Sequence, residues 1–365
     1  MNTSGTKKNI SDKGRVFVGL SGGVDSAVSA ALLKEQGYDV TGVFIKAWQP
    51  DWMVCTWREE RRDAMRVALA LDIPFLFLDM EKEYKQGVVD KMIAEYKANR
   101  TPNPDVLCNR EIKFGSFWNK AKELGADFIA TGHYAKVFSK QHSLALYESK
   151  DKEKDQSYFL WTLTQEDLEH TLFPVGGLEK KDVRELAKKF KLPVAEKKDS
   201  QGICFLGDVS MEDFLSHYID IKPGKVVNTD GQVIGTHKGL PFYTIGERHG
   251  FEVTKKSADS SPFYIVAKDV KTNALVVSND IAEIKDLSPQ KVVLKNVNWI
   301  HEPLVPELTA RIRYHGGKLP CKLSLEGKKL AVEFTNPVRG LALGQSIVFY
   351  SDEECLGGAV MDRLY

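Results

Sequence analysis

What this sequence lacks narrows it first. No apolar run approaches the ~18 residues that a membrane-spanning helix needs. Cysteine is scarce, five in 365 residues, and an odd, scattered set argues against a disulfide framework and for a reducing compartment. There is no C-x-x-C and no His pair at ligand spacing, which argues against a structural zinc site. Charge is balanced, with Lys plus Arg 51 against Asp plus Glu 50. Overall electrostatics therefore neither indicate nor exclude nucleic acid, and only local clusters bear on it. Internal repeats and low-complexity tracts are absent. The opening residues, MNTSGTKKNISDKG, carry no signal-peptide apolar core and read as a disordered tail, 1–14, on a cytoplasmic protein.

A chain of 365 residues exceeds one ordinary core, so two or three domains are expected. Strand-like runs at 16–20, 39–45, 74–78 and 127–131 alternate with helical patterns at 25–36, 58–71, 81–99 and 109–124. That alternation predicts an α/β fold, a doubly wound parallel sheet. Ligands of such sheets sit at the carboxyl ends of the strands. The loops at Ser21, Lys46 and Gly132 should then share one rim. Residues 160–208 read as helical and basic. Beyond Asp208, turn signals separate short β runs at 263–267, 274–278, 291–294, 309–314 and 346–350. The expected division is 15–207 catalytic, 208–275 a small β-rich domain and 276–365 a β-barrel.

The first functional text is Ser21-Gly22-Gly23-Val24-Asp25-Ser26. It follows a strand and opens a helix. Its glycines let backbone amides approach a ligand, and a helix N-terminus favours an anion. A phosphate cradle and a plain glycine-rich turn both fit those glycines. No Gly-Lys-Ser/Thr follows, and G-x-G-x-x-G is absent, so neither common nucleotide motif applies. Asp25 could help hold Mg²⁺ or could cap the helix.

Two cysteines stand in informative surroundings. In RTPNPDVLCNREIKF, residues 100–114, two prolines predict an extended loop ending at Cys108, at the start of the 109–124 helix. There the helix dipole would favour a thiolate. Cys204 follows a basic stretch, with Lys197 and Lys198 available to stabilise an anion. Residues 177–198 hold eight Lys/Arg against four acids. Either thiol could equally be inert packing, as Cys321 and Cys355 in strand-like text are taken to be. Cys55 receives no role. Asp105 could serve as acid or base, or make an Asx turn after Pro104.

The S-G-G-x-D-S loop resembles that of the PP-loop ATP pyrophosphatases. The chain over 16–362 is similar to the tRNA-uridine 2-sulfurtransferases, or tRNA-specific 2-thiouridylases (the bacterial MnmA family). Further motifs carry this resemblance. They are Asn103-Pro104-Asp105-x-x-Cys108-Asn109, Thr131-Gly132-His133-Tyr134, Lys154-Asp155-Gln156-Ser157, Ser200-x-x-Ile203-Cys204-Phe205, Tyr243-Thr244-Ile245-Gly246, Gly344-Gln345 and Cys355-Leu356-Gly357-Gly358. Three positions depart from the family pattern. Ile45 stands where Met is common, and Glu247 with His249 stands where Gln and a basic residue are usual.

The resemblance implies ATP-dependent 2-thiolation of the wobble uridine in tRNAs for Lys, Glu and Gln. ATP would lie on Gly19, Leu20, Ser21, Gly22, Gly23, Val24, Asp25 and Ser26, with Ile45 and Gly132, and Mg²⁺ would accompany it. Asn103, Pro104 and Asp105 would meet the target base. His133, Lys154, Asp155, Gln156, Arg313, Tyr314 and Gln345 would contact tRNA. Cys108 would be the nucleophile, and Cys204 would carry a persulfide charged by a donor protein. Adenylation turns the uridine C2 oxygen into a leaving group. Sulfur then arrives by direct persulfide attack, or as sulfide freed when Cys108 attacks Cys204. Both routes end in a Cys108–Cys204 disulfide that needs reduction. Rival readings are an ATP-dependent ligase, which needs neither thiol, and a non-catalytic RNA-binding protein, which releases no pyrophosphate.

Overall fold

The computed structural model describes residues 13–53, 56–140, 142–198, 209–254 and 261–365. The chain divides into two units, Met1–Lys85 with Cys108–Gly207, and Gln86–Leu107 with Asp208–Tyr365. In chain order the elements begin β1 (Arg15–Gly19), α1 (Val24–Glu35), β2 (Asp39–Lys46), α2 (Trp57–Ala70) and β3 (Phe75–Asp79). Then come α3 (Glu81–Tyr84), a π-helical turn at Lys85–Val89, α4 (Asp90–Lys97) and α5 (Pro104–Cys108). A π-helical stretch (Asn109–Ser116) continues α5 directly into α6 (Phe117–Glu123). The first unit closes with β4 (Phe128–Ala130), β5 (Ala135–Lys140), β6 (Ser143–Glu148), α7 (Gln165–Glu169), β7 (Thr171–Leu172) and α8 (Lys180–Lys189).

Among the described residues of that unit, five strands form a parallel sheet in the order β3-β2-β1-β4-β7. Side chains alternate along β1. Val16, Val18 and Leu20 enter one core with Val28 of α1, Val67 of α2 and Val183 of α8. Phe17 and Gly19 therefore face the other side, where Phe117 of α6 covers Gly19: a Cβ there would lie 3.7 Å from the Phe117 ring. Helices on both faces make the sheet doubly wound, as expected. The β5–β6 hairpin pairs antiparallel and was not anticipated.

The second unit adds α9 (Met211–Ser216), β8 (Gly224–Val227), β9 (Val233–His237), β10 (Glu252–Val253), β11 (Tyr264–Asp269), β12 (Ala274–Ser278) and α10 (Ile281–Asp286). Its strands run β10-β9-β8-β12-β11. Then come β13 (Lys291–Trp299), β14 (Glu307–Arg311), β15 (Leu319–Glu326), β16 (Lys329–Phe334), β17 (Ser346–Ser351) and β18 (Glu354–Leu364). These pair as β13-β16-β15-β14-β17-β18, and β18 returns to β13. The expected barrel is therefore closed, which leaves no unpaired edge within it. At the seam Gly357 adopts φ +137°, and a Cβ there would fall 2.2 Å from the Asn298 carbonyl oxygen. Only glycine lets the first and last barrel strands approach so closely.

Candidate active site

The loop after β1 is built from its own hydroxyls. The Ser21 amide donates to Ser26 Oγ at 3.2 Å, Ser26 Oγ donates to the Gly23 carbonyl at 3.2 Å, and the Gly23 amide donates to Ser21 Oγ at 3.3 Å. Gly22 turns the chain at φ +75°, with the Glu60 carbonyl of α2 only 2.6 Å from where a Cβ would be. Gly23 is the N-cap of α1 and makes no side-chain cap bond. The first-turn amides of Val24, Asp25 and Ser26 thus have no intrahelical acceptor. This is a donor-lined cradle with the dipole's positive end behind it.

The rim is shared as expected. Ile45 is the penultimate residue of β2, half-buried beside β1. Gly132 follows β4 and abuts the loop so closely that a Cβ would lie 2.7 Å from the Ser26 amide nitrogen. Ser29 Oγ, in α1, donates to the Asp25 carbonyl at 2.9 Å and reaches the Thr131 carbonyl at 3.4 Å.

Asp25 is not a cap, which settles one open alternative. Its carboxylate accepts from Lys180 Nζ at 2.7 and 2.8 Å and from Tyr134 Oη at 2.8 Å. Lys197 Nζ reaches the Gly22 carbonyl at 3.1 Å and Asp63 Oδ2 at 2.7 Å. Arg184 of α8 donates to the Ala195 and Lys197 carbonyls, fixing the turn that presents Lys197. Burial raises the Glu60 carboxyl above its ordinary pKa, opposed by Lys197 and reinforced by Asp63. Two lysines of the basic 177–198 stretch thus meet the Ser21–Ser26 loop, while Lys181, Lys188, Lys189, Lys191 and Lys198 are exposed. Sequence reasoning missed Lys180, Asp63 and Tyr134 at this loop, and offered Lys197 as a cation for Cys204, whereas its ammonium meets Gly22 and Asp63. Only the charge count of the segment signalled Lys180.

His133 lies beneath the rim, 7% exposed, against Phe114 and Phe173. Lys113 Nζ can only donate, so Nε2 accepts from it at 3.3 Å, and Nδ1–H donates to Thr131 Oγ1 at 2.7 Å. Burial, and then the Lys113 charge, hold its pKa well below the usual imidazole value. Asp155 is also buried. It accepts from the Ser149 amide at 2.9 Å and Ser157 Oγ at 2.8 Å, shaping the loop of Lys154 and Gln156. Gln156 Oε1 accepts from the Tyr134 amide at 2.9 Å.

Cys108 corrects an expectation. The helix begins at Pro104, not after Cys108. Asn103 Oδ1 accepts from the Val106 amide at 3.2 Å, and Pro104 occupies the first helical position, where its missing N–H costs nothing. Asp105 stands in the first turn. Cys108 thus closes the first turn of an uninterrupted helical run, and the dipole argument for its thiolate weakens, because that effect fades within one turn.

Its location is nonetheless informative. Downstream, Phe114 meets His133 at the carboxyl rim, while Trp118 stacks on His170 with ring centroids 4.5 Å apart, near the start of β4. From Cys108 onward the run descends from the carboxyl rim toward the amino rim, so Cys108, upstream of Phe114, lies toward the carboxyl end of the sheet, as does the Ser21–Ser26 loop. Cys108 is buried, 4% exposed. Its neighbour Asn109 donates to the Phe159 carbonyl at 3.0 Å.

In the second unit, Arg313 is exposed and Tyr314 half-buried just after β14. The Gln345 carbonyl, before β17, accepts from the Met361 amide. Cys321 and Cys355 are buried in strands. Cys55 and Cys204 lie outside the described residues, and so does the expected meeting of Cys108 with Cys204. Among the described residues no cluster of three or more His, Cys, Asp or Glu could hold a metal, and no helix is long and apolar enough to cross a membrane.

A donor-lined loop on a doubly wound sheet, followed by two β domains, defines a PP-loop α/β nucleotide-binding protein. Residues 14–208 match the family described as tRNA methyl transferase HUP domain, 212–279 the tRNA methyl transferase PRC-barrel domain, and 289–361 the aminomethyltransferase beta-barrel domain. The tRNA-specific 2-thiouridylase MnmA of Streptococcus thermophilus (strain CNRZ 1066) is 43% identical over 359 residues, 97% of this chain and 96% of its own. That of Lactococcus lactis subsp. lactis is 44% identical over 361 residues, 96% of this chain and 95% of its own. Among solved structures, the U34-tRNA thiolase NcsA from Methanococcus maripaludis with its [4Fe-4S] cluster is 17% identical, covers 57% of this chain and 64% of that one, and superposes with a TM-score of 0.35. The chain belongs to the tRNA-specific 2-thiouridylase family.

Proposed function

We propose that the protein uses ATP to replace the C2 oxygen of the wobble uridine of tRNA by sulfur, giving 2-thiouridine, AMP and pyrophosphate. The observation that supports this most is the presence, toward the carboxyl end of one sheet, of the Ser21–Ser26 cradle and Cys108. ATP lies on the loop, with Gly132 and Ile45 beside it. Lys180 and Lys197 keep the loop's acidic surroundings neutralised while the triphosphate enters. Asp25 is an oxygen donor of the kind Mg²⁺ accepts, so the residues present suit a Mg²⁺ ion bound with ATP. Such an ion would stabilise charge on the departing pyrophosphate.

Asn103, Pro104 and Asp105 meet the splayed-out base. Lys154, Gln156, Arg313, Tyr314 and Gln345 contact the tRNA of the Lys, Glu and Gln acceptors. His133 and Asp155 act from below, by shaping the segments that touch it. Cys204 receives sulfur from a donor protein as a persulfide. Its outer sulfur ends on C2 as AMP leaves, and Cys108 and Cys204 are left joined as a disulfide. Two electrons from an external dithiol restore the thiols. Residues 15–207 carry the chemistry, 208–275 and 276–365 hold the tRNA, and the cytoplasm is where these partners meet.

The test is incubation with unmodified glutamate tRNA, Mg-ATP and a sulfide source, with mass spectrometry of the nucleosides. Thiolated uridine is expected at position 34. Pyrophosphate release without thiolated uridine, or full persulfide-dependent thiolation by Cys108→Ser and Cys204→Ser, would overturn the proposal.

A further inference from the structure

The helical turn bearing Asp105 and Cys108 is preceded by a short segment tied down by residues distant in sequence. Arg100 is the centre of it. Its side chain is 17% exposed. Nε donates to Glu95 Oε2 of α4 at 2.9 Å, and Nη2 donates to the Met361 carbonyl of β18 at 3.1 Å and faces Asp362 Oδ1 at 3.4 Å. Lys295 of β13 adds a second cation to Glu95 at 3.6 Å. Lys329 chiefly, with Arg100 and Lys295 more weakly, holds the Asp362 carboxyl below its ordinary pKa. One guanidinium fork therefore joins α4 to the last barrel strand.

The next residue is held as firmly. The Thr101 amide donates to the Leu343 carbonyl at 2.8 Å, and its hydroxyl meets that of Thr244 at 3.3 Å. Gly344 turns at φ +92° under this segment, and a Cβ on it would stand 3.1 Å from Arg100 Cβ and from the Thr101 backbone. Tyr96 of α4 feels the Glu247 carboxylate, which accepts from the Thr244 amide at 3.0 Å. Burial first, and Glu247 second, push the Tyr96 hydroxyl up to about 12. Immediately beyond Thr101 and Pro102 come Asn103, the helix cap, and Asp105.

We infer that Arg100 is a positioning residue for thiolation. Resting on the function proposed above, it locks the base-recognition segment 101–105 onto the barrel turn 343–345, next to Gln345, so that gripping tRNA and presenting the uridine become one event. The fork geometry matters, because Glu95 is met by Nε and the Met361 carbonyl and Asp362 by Nη2, two nitrogens held apart in one plane, where an ammonium offers a single nitrogen. Misplacement of reacting groups by about 1 Å costs on the order of 100-fold in rate.

The experiment compares wild type, Arg100→Gln, Arg100→Lys and Gly344→Ala. It measures single-turnover thiolation, tRNA affinity by filter binding, ATP affinity and thermal unfolding. Arg100→Gln should lower single-turnover thiolation about 10- to 100-fold. Its tRNA and ATP dissociation constants should stay within threefold of wild type. Arg100→Lys should fall between the two, and Gly344→Ala, which crowds both Arg100 Cβ and the Thr101 backbone while leaving every charge in place, should reproduce the loss. Thiolation at the wild-type rate in Arg100→Gln overturns the inference. So does a loss matched by equal weakening of tRNA binding, which would make Arg100 a tRNA contact, or one explained by the unfolded fraction alone. Absence of thiolation in wild type would instead sink the proposed function.

Discussion

Replacing Gly132 by alanine adds one methyl group at the point where the β4 end abuts the Ser21–Ser26 loop. The new Cβ would stand 2.7 Å from the Ser26 nitrogen and 2.9 Å from the Asp25 carbonyl carbon. Both neighbours are backbone, so no side chain can swing aside. Restoring ordinary contact moves the first turn of α1 by roughly 0.7 Å, an overpacking cost of about 1–3 kcal/mol. In a domain of this size each kcal/mol lowers the unfolding midpoint by roughly 2–4 °C. The larger effect falls on the cradle, where a displacement near 1 Å removes on the order of 100-fold in rate. Gly132→Ala should thus lower kcat/KM for ATP, read by pyrophosphate release, between about ten- and a hundredfold. Its protein remains folded at assay temperature. Gly177→Ala is the control, since nothing lies within 4 Å of its added methyl. If Gly132→Ala binds and cleaves ATP as the wild type does, the loop is not the phosphate cradle described here.

Lys180→Met leaves the Asp25 carboxylate with Tyr134 alone, a loss of about 1–3 kcal/mol, and Mg-ATP affinity by calorimetry should drop at least tenfold; an unchanged affinity would place the lysine outside the site. His133 stays neutral in the folded protein well below its usual value, whereas the unfolded chain takes up a proton near pH 6.5. Stability from this residue is therefore present above pH 6.5 and lost as pH falls toward the folded pKa, at up to about 1.4 kcal/mol per pH unit. Urea titrations at pH 7.5, 6.5 and 5.5 should show that slope flattened in His133→Gln, and equal slopes would contradict the burial argument. Burial pushes the Cys321 thiol up to about 12, so it should resist alkylation at pH 8, and Cys321→Ala should thiolate within twofold of wild type while Cys108→Ser is inactive.

The doubly wound sheet was legible because its strands are apolar runs between helical periods, and each expected strand falls within about a residue of the observed one. The loop was legible because its glycines and hydroxyls are contiguous. Cys108's helix start was misplaced because Pro102 and Pro104 read as loop signals, although Pro104 sits where proline suits a helix. Strand β18 was read only as strand-like text around Cys355 and not bounded, because Gly357 and Gly358 punctuate ECLGGAVMDRL, and those glycines serve barrel closure. The pairings of Lys180 and Lys197 could not be read, since their partners Asp25 and Asp63 lie 155 and 134 positions away. His133's burial depends on Phe114 and Phe173, from separate segments. No local pattern encodes such meetings.

The carbonyl that receives the Arg100 guanidinium is supplied 261 positions later, by the strand that also sews the barrel shut. During translation the arginine emerges long before its acceptor exists. A partly made chain can present the Ser21–Ser26 loop and the Cys108 thiol, yet the segment between them lacks its tie to the last strand. On the positioning role inferred for Arg100, completion of the carboxyl-terminal seam is a condition for full activity, and a chain broken before Met361 should hold a cysteine without the aim to use it.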